Sequence, residues 1–341
     1  MFKLAKPIFL HCQTPTHVGS GSDLGIIDLP IQRERHTQFP KFESSSFKGA
    51  LRQRFEEVYP SSGMANRVKV HLAFGYDDAG EEANVKAEFA GKDKQKFEQQ
   101  YAGALGFTDA RLLFFPVKSM RGVFALVTCP YILEKLAEEL ILTKNSDATW
   151  IAKVDTLKTA LTNLQVSNLE ASATEGFCYT NSTKLQISGQ NAVVLEEYAF
   201  TVKADFTELA DLIGAIKEIV NVDANKIVIL HNDDFSDFVT LHTEVITRNK
   251  IDNQTGTVDK KIGGLFTEEF LPAESILYAL IMASPIFQVK ESDFKPKTGE
   301  TLSEEQKVID FFTGTINTQA EGIFQIGGNA TLGKGIVKLH F

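Results

Sequence analysis

Residues 13–44 place the strongest constraint on how this chain folds. The apolar run Pro7–Leu10 precedes them and a helical pattern beginning at Phe47 follows, but between the two no apolar periodicity is sustained. An apolar-poor segment of that length inside a compact domain is usually functional or disordered. Its residue types favour function. From Thr14 to Arg54 the chain carries a glycine-serine loop, His17-Val18-Gly19-Ser20-Gly21-Ser22, and an isolated carboxylate, Asp28, between Ile27 and Leu29. The cations Arg33 and Arg35 follow, and then a helix start, Ser45-Ser46-Phe47-Lys48-Gly49-Ala50-Leu51-Arg52.

The rest of the chain supplies a core large enough to hold such a loop. It has 341 residues, 43% hydrophobic and 23% charged, a balance that suits packed globular structure and not disorder. Residues 2–12 read as a strand. Phe47, Leu51, Phe55 and Val58 recur at helical spacing, so 46–58 read as an amphipathic helix with Ser45 or Ser46 at its N-cap. Residues 61–105 are polar, acidic and Gly/Ala-rich and read as an insertion. Strands are expected at 111–117 and 123–128, helices at 130–142, 148–164, 206–221 and 302–316. Further strands are expected at 192–203, 227–230 and 336–341. Residues 241–270 read as a long hairpin turning at Thr255-Gly256, and 276–283 as a core strand or buried helix.

Net charge is -9 and the pI about 5.4, which taken alone argues against a nucleic-acid partner. The distribution reverses that. Residues 1–55 hold eight Lys/Arg against four Asp/Glu, while the remainder holds 27 against 40. Binding follows the local field and not the total. Cys12, Cys129 and Cys178 form no C-x-x-C, so they read as buried thiols in a reducing cytoplasm. The short run Pro7–Leu10 is no signal peptide, and no stretch is long and apolar enough to span a membrane.

Three motifs carry chemistry, and each has a plainer reading. Gly328 to Lys334 matches G-x-x-x-x-G-K, but Gly335 stands where a P-loop needs Ser or Thr and only six residues follow. An NTPase site is excluded. What remains is either a backbone that can approach an anion, with Lys334 beside it, or a tight turn between strands. Ser46-Phe47-Lys48-Gly49-x-x-Arg52 sets two cations four residues apart behind a helix N-terminus, which suits a chain of phosphates or an ordinary solvated face. Asp28, among Ile26, Ile27, Leu29 and Pro30, is a backbone cap or a desolvated catalyst; composition alone favours the cap. No second carboxylate sits nearby at ligand spacing, so a metal at Asp28 would be recruited partly by substrate phosphates.

In order along the chain, T-P-T-H-x-G-S-G, I-D-L-P-I-Q-R-E, S-x-K-G-A-L-R, T-D-A-R-L-L-F-F-P-V, T-E-V-I-T-R-N-K-I-D, L-F-T-E-E-F-L-P and I-G-G-N-x-T-L-G-K-G resemble the backbone-subunit family of type III-B CRISPR effectors. These are the Cmr complexes, and the family lies within the repeat-associated mysterious protein (RAMP) superfamily. The resemblance runs from Thr14 to Gly335. It implies an α+β fold: one domain over 1–341 with a modified RRM or ferredoxin-like core, the insertion at 61–105, and a β-hairpin thumb within 231–272. It implies a subunit that oligomerises with copies of itself along a crRNA guide, joins other Cmr subunits, and cuts complementary target RNA at regular intervals with magnesium or another divalent cation. By motif, the catalytic set falls on Asp28 (also the metal ligand), His17, Glu268 and Phe270, an aromatic without a hydroxyl. Glu269 matches the same segment. Ser46, Lys48, Arg52, Arg33, Arg35, Gly327, Gly328, Gly333 and Lys334 would bind RNA. A scaffold without activity is the alternative.

Overall fold

The computed structural model describes residues 2–23, 25–60, 64–77, 100–143, 148–163, 176–203, 207–220, 222–249, 251–252, 254–258, 264–286, 293–318 and 320–341. The acidic part of the insertion, 78–99, and Lys250 of the hairpin lie outside these residues.

β1 (Leu4–Cys12) alternates only at its ends, and Pro7 to Leu10 are all buried. That is the pattern of a strand covered on both faces. After the long loop and a short β2 (Lys41–Phe42), α1 (Ser44–Val58) buries Phe47, Leu51 and Phe55, as its spacing requires. The insertion contributes α2 (Met64–Phe74), β3 (Gly75–Asp77) and β4 (Gln100–Ala102) before β5 (Leu105–Phe107), β6 (Ala110–Lys118) and β7 (Phe124–Thr128). Next come α3 (Pro130–Ile141), α4 (Ala148–Asn163), β8 (Phe177–Tyr179), β9 (Ala192–Leu195), β10 (Tyr198–Val202), α5 (Thr207–Val220) and β11 (Ile227–Leu230). The chain then runs through α6 (Asn232–Leu241), β12 (Glu244–Arg248), β13 (Phe266–Phe270), β14 (Ile276–Ala283), α7 (Glu304–Thr318), β15 (Ile323–Gln325) and β16 (Ile336–His340).

A 12-stranded sheet orders these as β15-β16-β1-β14-β6-β7-β11-β8-β10-β9, with β2 on β6 and β5 on β14. Toward the β15 edge, β16, β1, β14 and β6 are antiparallel neighbours. The run 276–283, which periodicity left between strand and helix, is β14, buried along nearly its whole length. Pairing decides that it is a strand, between β1 and β6, and burial of both its faces is what lets it be apolar at every position.

Phenylalanine is abundant, at 26 residues, and the packing accounts for part of that bias. Phe55 lies at 4.9 Å from Phe74 and stacks on Phe312 at 5.5 Å. Phe47 meets Phe107 at 5.4 Å and Phe324 at 5.8 Å. One aromatic layer therefore joins α1, α2, α7, β5 and β15; each fully buried ring contributes about 1.5–3 kcal/mol of apolar burial. The three cysteines are free and buried. Among the described residues no helix is long and apolar enough to cross a membrane.

Candidate functional site

The long loop is fastened at both ends, although it contains little regular structure. Its first part, Thr14–Gly19, lies between β13 and the glycine loop that precedes β16. Thr16 exchanges both backbone hydrogen bonds with Leu271 at 2.9 Å, and the amides of Gly328 and Gly335 donate to the carbonyls of His17 (2.9 Å) and Pro15 (3.0 Å). The glycines are needed for these approaches. A Cβ on Gly327 would sit 2.1 Å from the His17 carbonyl oxygen, and one on Gly335 2.0 Å from that of Ile326, both at positive φ. The glycine loop is thus a tight turn and a docking surface for the His17 segment at once.

The second part of the loop lies against β13. Leu29 bridges Glu268 in parallel, the Leu29 amide donates to the Thr267 carbonyl at 3.0 Å, and the Glu269 amide donates to that of Leu29 at 3.0 Å. This pairing fixes Asp28. Its Oδ2 accepts the Thr267 amide at 2.7 Å and the Thr267 hydroxyl at 2.9 Å. The carboxylate is a backbone cap, as composition favours, yet it stays solvent-exposed. The Thr267 amide, then the hydroxyl, hold its carboxyl below the ordinary carboxylate range. Asp28 is therefore anionic throughout the neutral range and a weak proton acceptor there.

Successive side chains of β13 point to opposite faces, and this divides the candidate residues into two groups. On one side Thr267 holds Asp28. Glu269 on that side accepts from Ile31 N (3.0 Å), Thr243 Oγ1 (2.8 Å) and the Arg33 guanidinium. Arg33 also donates to the carbonyls of Gln38 (2.7 Å) and Val239 (3.0 Å), so it is turned into the protein. On the other side are Glu268, His17 and Phe270, all buried. Glu268 pairs with Arg248 at 3.0 Å, accepts from the Asn329 amide, and lies 3.7 Å from His17 Nε2. His17 Nδ1 meets the Glu269 carbonyl at 2.7 Å. A carbonyl only accepts, so Nδ1 carries the proton in the neutral ring. The Phe270 ring packs on His17 and lies beneath Arg248 and Lys334. His17, Glu268 and Phe270 thus support the strand against which Asp28 is held, and they are not exposed beside it.

The predicted RNA-binding residues divide as well. Ser46 and Gly327 line one groove of about 580 Å³ between the start of α1 and the glycine loop, together with Gly49, Gln53, Arg54 and Ala330. The first turn of α1 has no side-chain cap from its N-cap residue, Glu43. Gly49 has open space where a Cβ would be, so this costly helical glycine widens the groove and packs against nothing. Lys48 and Arg52 lie elsewhere on the helix: Lys48 donates to the Leu105 carbonyl at 2.9 Å and Arg52 pairs with Glu56 at 2.8 Å. Burial, then the neighbouring Arg52, pulls the Lys48 ammonium below its ordinary value. Arg35 is exposed, Gly333 caps the turn at positive φ, and Lys334 extends over Phe270.

Sequence reading missed Gln53, Arg54, Thr267, Arg248 and Asn329. The helical spacing from Ser46 through Gly49 and Gln53 could have signalled the groove face; the other three meet the site only through folding. Asp109, to which sequence assigned no chemistry, receives the Ser44 amide at 2.9 Å and Lys41 at 2.8 Å, and so anchors the start of α1. For a metal, Asp28 has no converging set: among the described residues no three of His, Cys, Asp and Glu come together as ligands. The described residues do not build a metal site by themselves.

A sequence model of the RAMP superfamily matches residues 9–338. Over 336 residues the chain is 34% identical to the CRISPR system Cmr endoribonuclease Cmr4 of Pyrococcus furiosus, covering 97% of this chain and 93% of that protein. Its fold is similar to oligomeric Cmr4 from Pyrococcus furiosus in a crystal structure, with a TM-score of 0.62, 25% identity, and coverage of 99% of this chain and 97% of that one. It is also similar to a chain in a cryo-EM structure of the Type III-B Cmr-beta bound to cognate target RNA, with a TM-score of 0.66, 23% identity, and coverage of 99% and 97%.

Proposed function

The chain belongs to the RAMP superfamily, and from that premise we propose that it is a guide-RNA-binding backbone subunit of a type III-B effector that also cleaves complementary target RNA. Its partners are the crRNA guide, the target RNA, copies of itself and other Cmr subunits. The endoribonuclease relative at 34% identity and its oligomeric crystal form support this reading. The observation that carries it is the placement of Asp28: an exposed loop carboxylate, held anionic, at a fixed position against β13.

RNA brings its own nucleophile, the 2′-OH. Cleavage needs that oxygen in line with the departing 5′ oxygen, a geometry an A-form duplex prevents. The β12–β13 hairpin, within the thumb region 231–272, would splay a nucleotide out of the duplex, so that positioning provides much of the acceleration. Asp28 would orient the 2′-OH by accepting its hydrogen bond, with His17, Glu268 and Phe270 stiffening β13 behind it. A divalent cation, magnesium or another, enters this reading only as an ion carried in on RNA phosphates with Asp28 as its one protein carboxylate; no step is assigned to it.

The guide would run through the groove, where Ser46, Gly327, Ala330 and Arg54 meet its backbone without reading bases. Lys48, Arg52, Arg35 and Lys334 would add to the field around it, and Arg33 through its hold on Glu269. Sequence choice is left to base pairing. An RRM or ferredoxin-like core belongs to the same reading. Its support is the antiparallel order β16-β1-β14-β6, with α1 between β1 and β6 in the chain and α7 between β14 and β16. A single domain with an insertion at 61–105, in a reducing cytoplasm that keeps three buried thiols free, completes it.

The cap on Thr267 favours one second reading, a scaffold in which Asp28 is only structural. Target cleavage by the assembled complex with Asp28→Ala decides between them. Loss of cutting with guide loading intact is expected, whereas lost assembly, or cutting at the full rate, overturns the catalytic reading.

A further inference from the structure

Glu268 is 4% exposed and makes the tie between three separate parts of the chain. Arg248, at the end of β12, reaches its Oε2 at 3.0 Å, and Asn329, from the glycine loop, donates its amide to Oε1. Arg248 also donates to Asn329 Oδ1 at 2.7 Å. The three side chains close a ring in which the Asn329 amide is used in both directions, accepting through oxygen and donating through nitrogen. Such a ring is stiff, because a buried carboxylate that loses one partner bears a desolvation cost.

Its two outer ends meet the two halves of the proposed site. Asn329 stands at φ 63, between Gly328, whose amide holds the His17 carbonyl, and Ala330, which lines the groove. On the other side, Glu268 is the immediate neighbour of Thr267, whose amide and hydroxyl hold Asp28. We propose that Arg248 and Asn329 are positioning residues. Through Glu268 they fix the groove wall that grips the guide to the strand whose Thr267 holds Asp28, so that the cut falls at a set distance from the guide. Neither side chain needs to touch the reacting atoms. This rests on the cleavage reading above.

The test uses the assembled, guide-loaded complex with Asn329→Gly, Arg248→Lys, both together, and Asp28→Ala in parallel. Glycine keeps the left-handed backbone and removes only the side chain's bonds, while lysine keeps the charge and loses the planar fork. Guide loading and target affinity are expected to stay within about twofold, while the single-turnover rate at saturating target falls at least about tenfold, as small misplacements do. Cut positions should spread, and the double variant should lose little more than either single one, because the two act as a unit. Normal rate and sharp cuts in both single variants, with Asp28→Ala inactive, overturn the positioning role alone. Failure to load guide also overturns it, by making the ring purely structural. Full cutting by Asp28→Ala instead removes the cleavage reading on which the proposal rests.

Discussion

Asp28 Oδ2 lies 2.7 Å from the Thr267 amide and 2.9 Å from its hydroxyl. Residues 239 positions apart thus set the direction of an exposed carboxylate, and the loop that bears it becomes a fixed part of the β12–β13 hairpin.

That pair predicts a pH effect with a definite sign. Asp28 titrates below its ordinary range in the folded protein, so its contribution is present above the unfolded value and is lost as pH falls through the folded one. Thr267→Val removes the hydroxyl's bonds to the Asp28 carboxylate and backbone amide and leaves the bond from the Thr267 amide. The acid limb of the single-turnover cleavage profile should move to higher pH, with guide loading unchanged. A limb that stays in place would separate Asp28 ionisation from the rate.

The glycine loop predicts a contrast between two alanines. Gly327→Ala places a methyl 2.1 Å from the His17 carbonyl oxygen at φ +84, whereas Gly333→Ala meets nothing within 4 Å and bears only the strain of φ +72. The first should cost about 3 kcal/mol of stability and weaken guide loading; the second should cost about 1 kcal/mol, read from denaturant unfolding.

The groove predicts which cation the guide meets. Arg54 lines it, while Lys48 is tied to the Leu105 carbonyl. Arg54→Ala should lower the slope of log affinity against log salt by about 0.7, the value for one lost single-strand phosphate contact. Lys48→Ala should leave the slope nearer to wild type and lower the melting temperature instead. The opposite ranking would place the guide on the Lys48 face.

The lack of a converging ligand set predicts how the RNA-free protein answers to chelation. Its melting temperature should be unchanged, because among the described residues no ligand set converges; loss of target cleavage on chelation would place the ion with the RNA. A marked drop in that melting temperature would reveal a protein-built site.

The aromatic layer predicts the largest loss of stability. Phe55 is fully buried between Phe74 and Phe312. Phe55→Ala should cost about 3–5 kcal/mol, measured by calorimetric or denaturant unfolding.

The sequence by itself determined the parts whose physics is local. The face of α1 follows from the spacing of Phe47, Leu51 and Phe55, the hairpin turn from Thr255-Gly256, and the failed P-loop from Gly335. The importance of residues 13–44 follows from their lack of apolar periodicity. Tertiary structure decided everything that depends on distant partners. The run 276–283 became a strand because β1 and β6 flank it. Arg33 and Lys48, cations of one kind in the sequence, were turned inward by Glu269 and the Leu105 carbonyl. In the sequence Asp28 is compatible with cap and catalyst alike because Thr267 lies far away in the chain; folding makes it a cap that remains exposed, which is what a positioned carboxylate requires. Periodicity records which face a residue turns, but a buried charge or a capped loop is fixed by its partner, and the partner is known only once the chain has closed on itself.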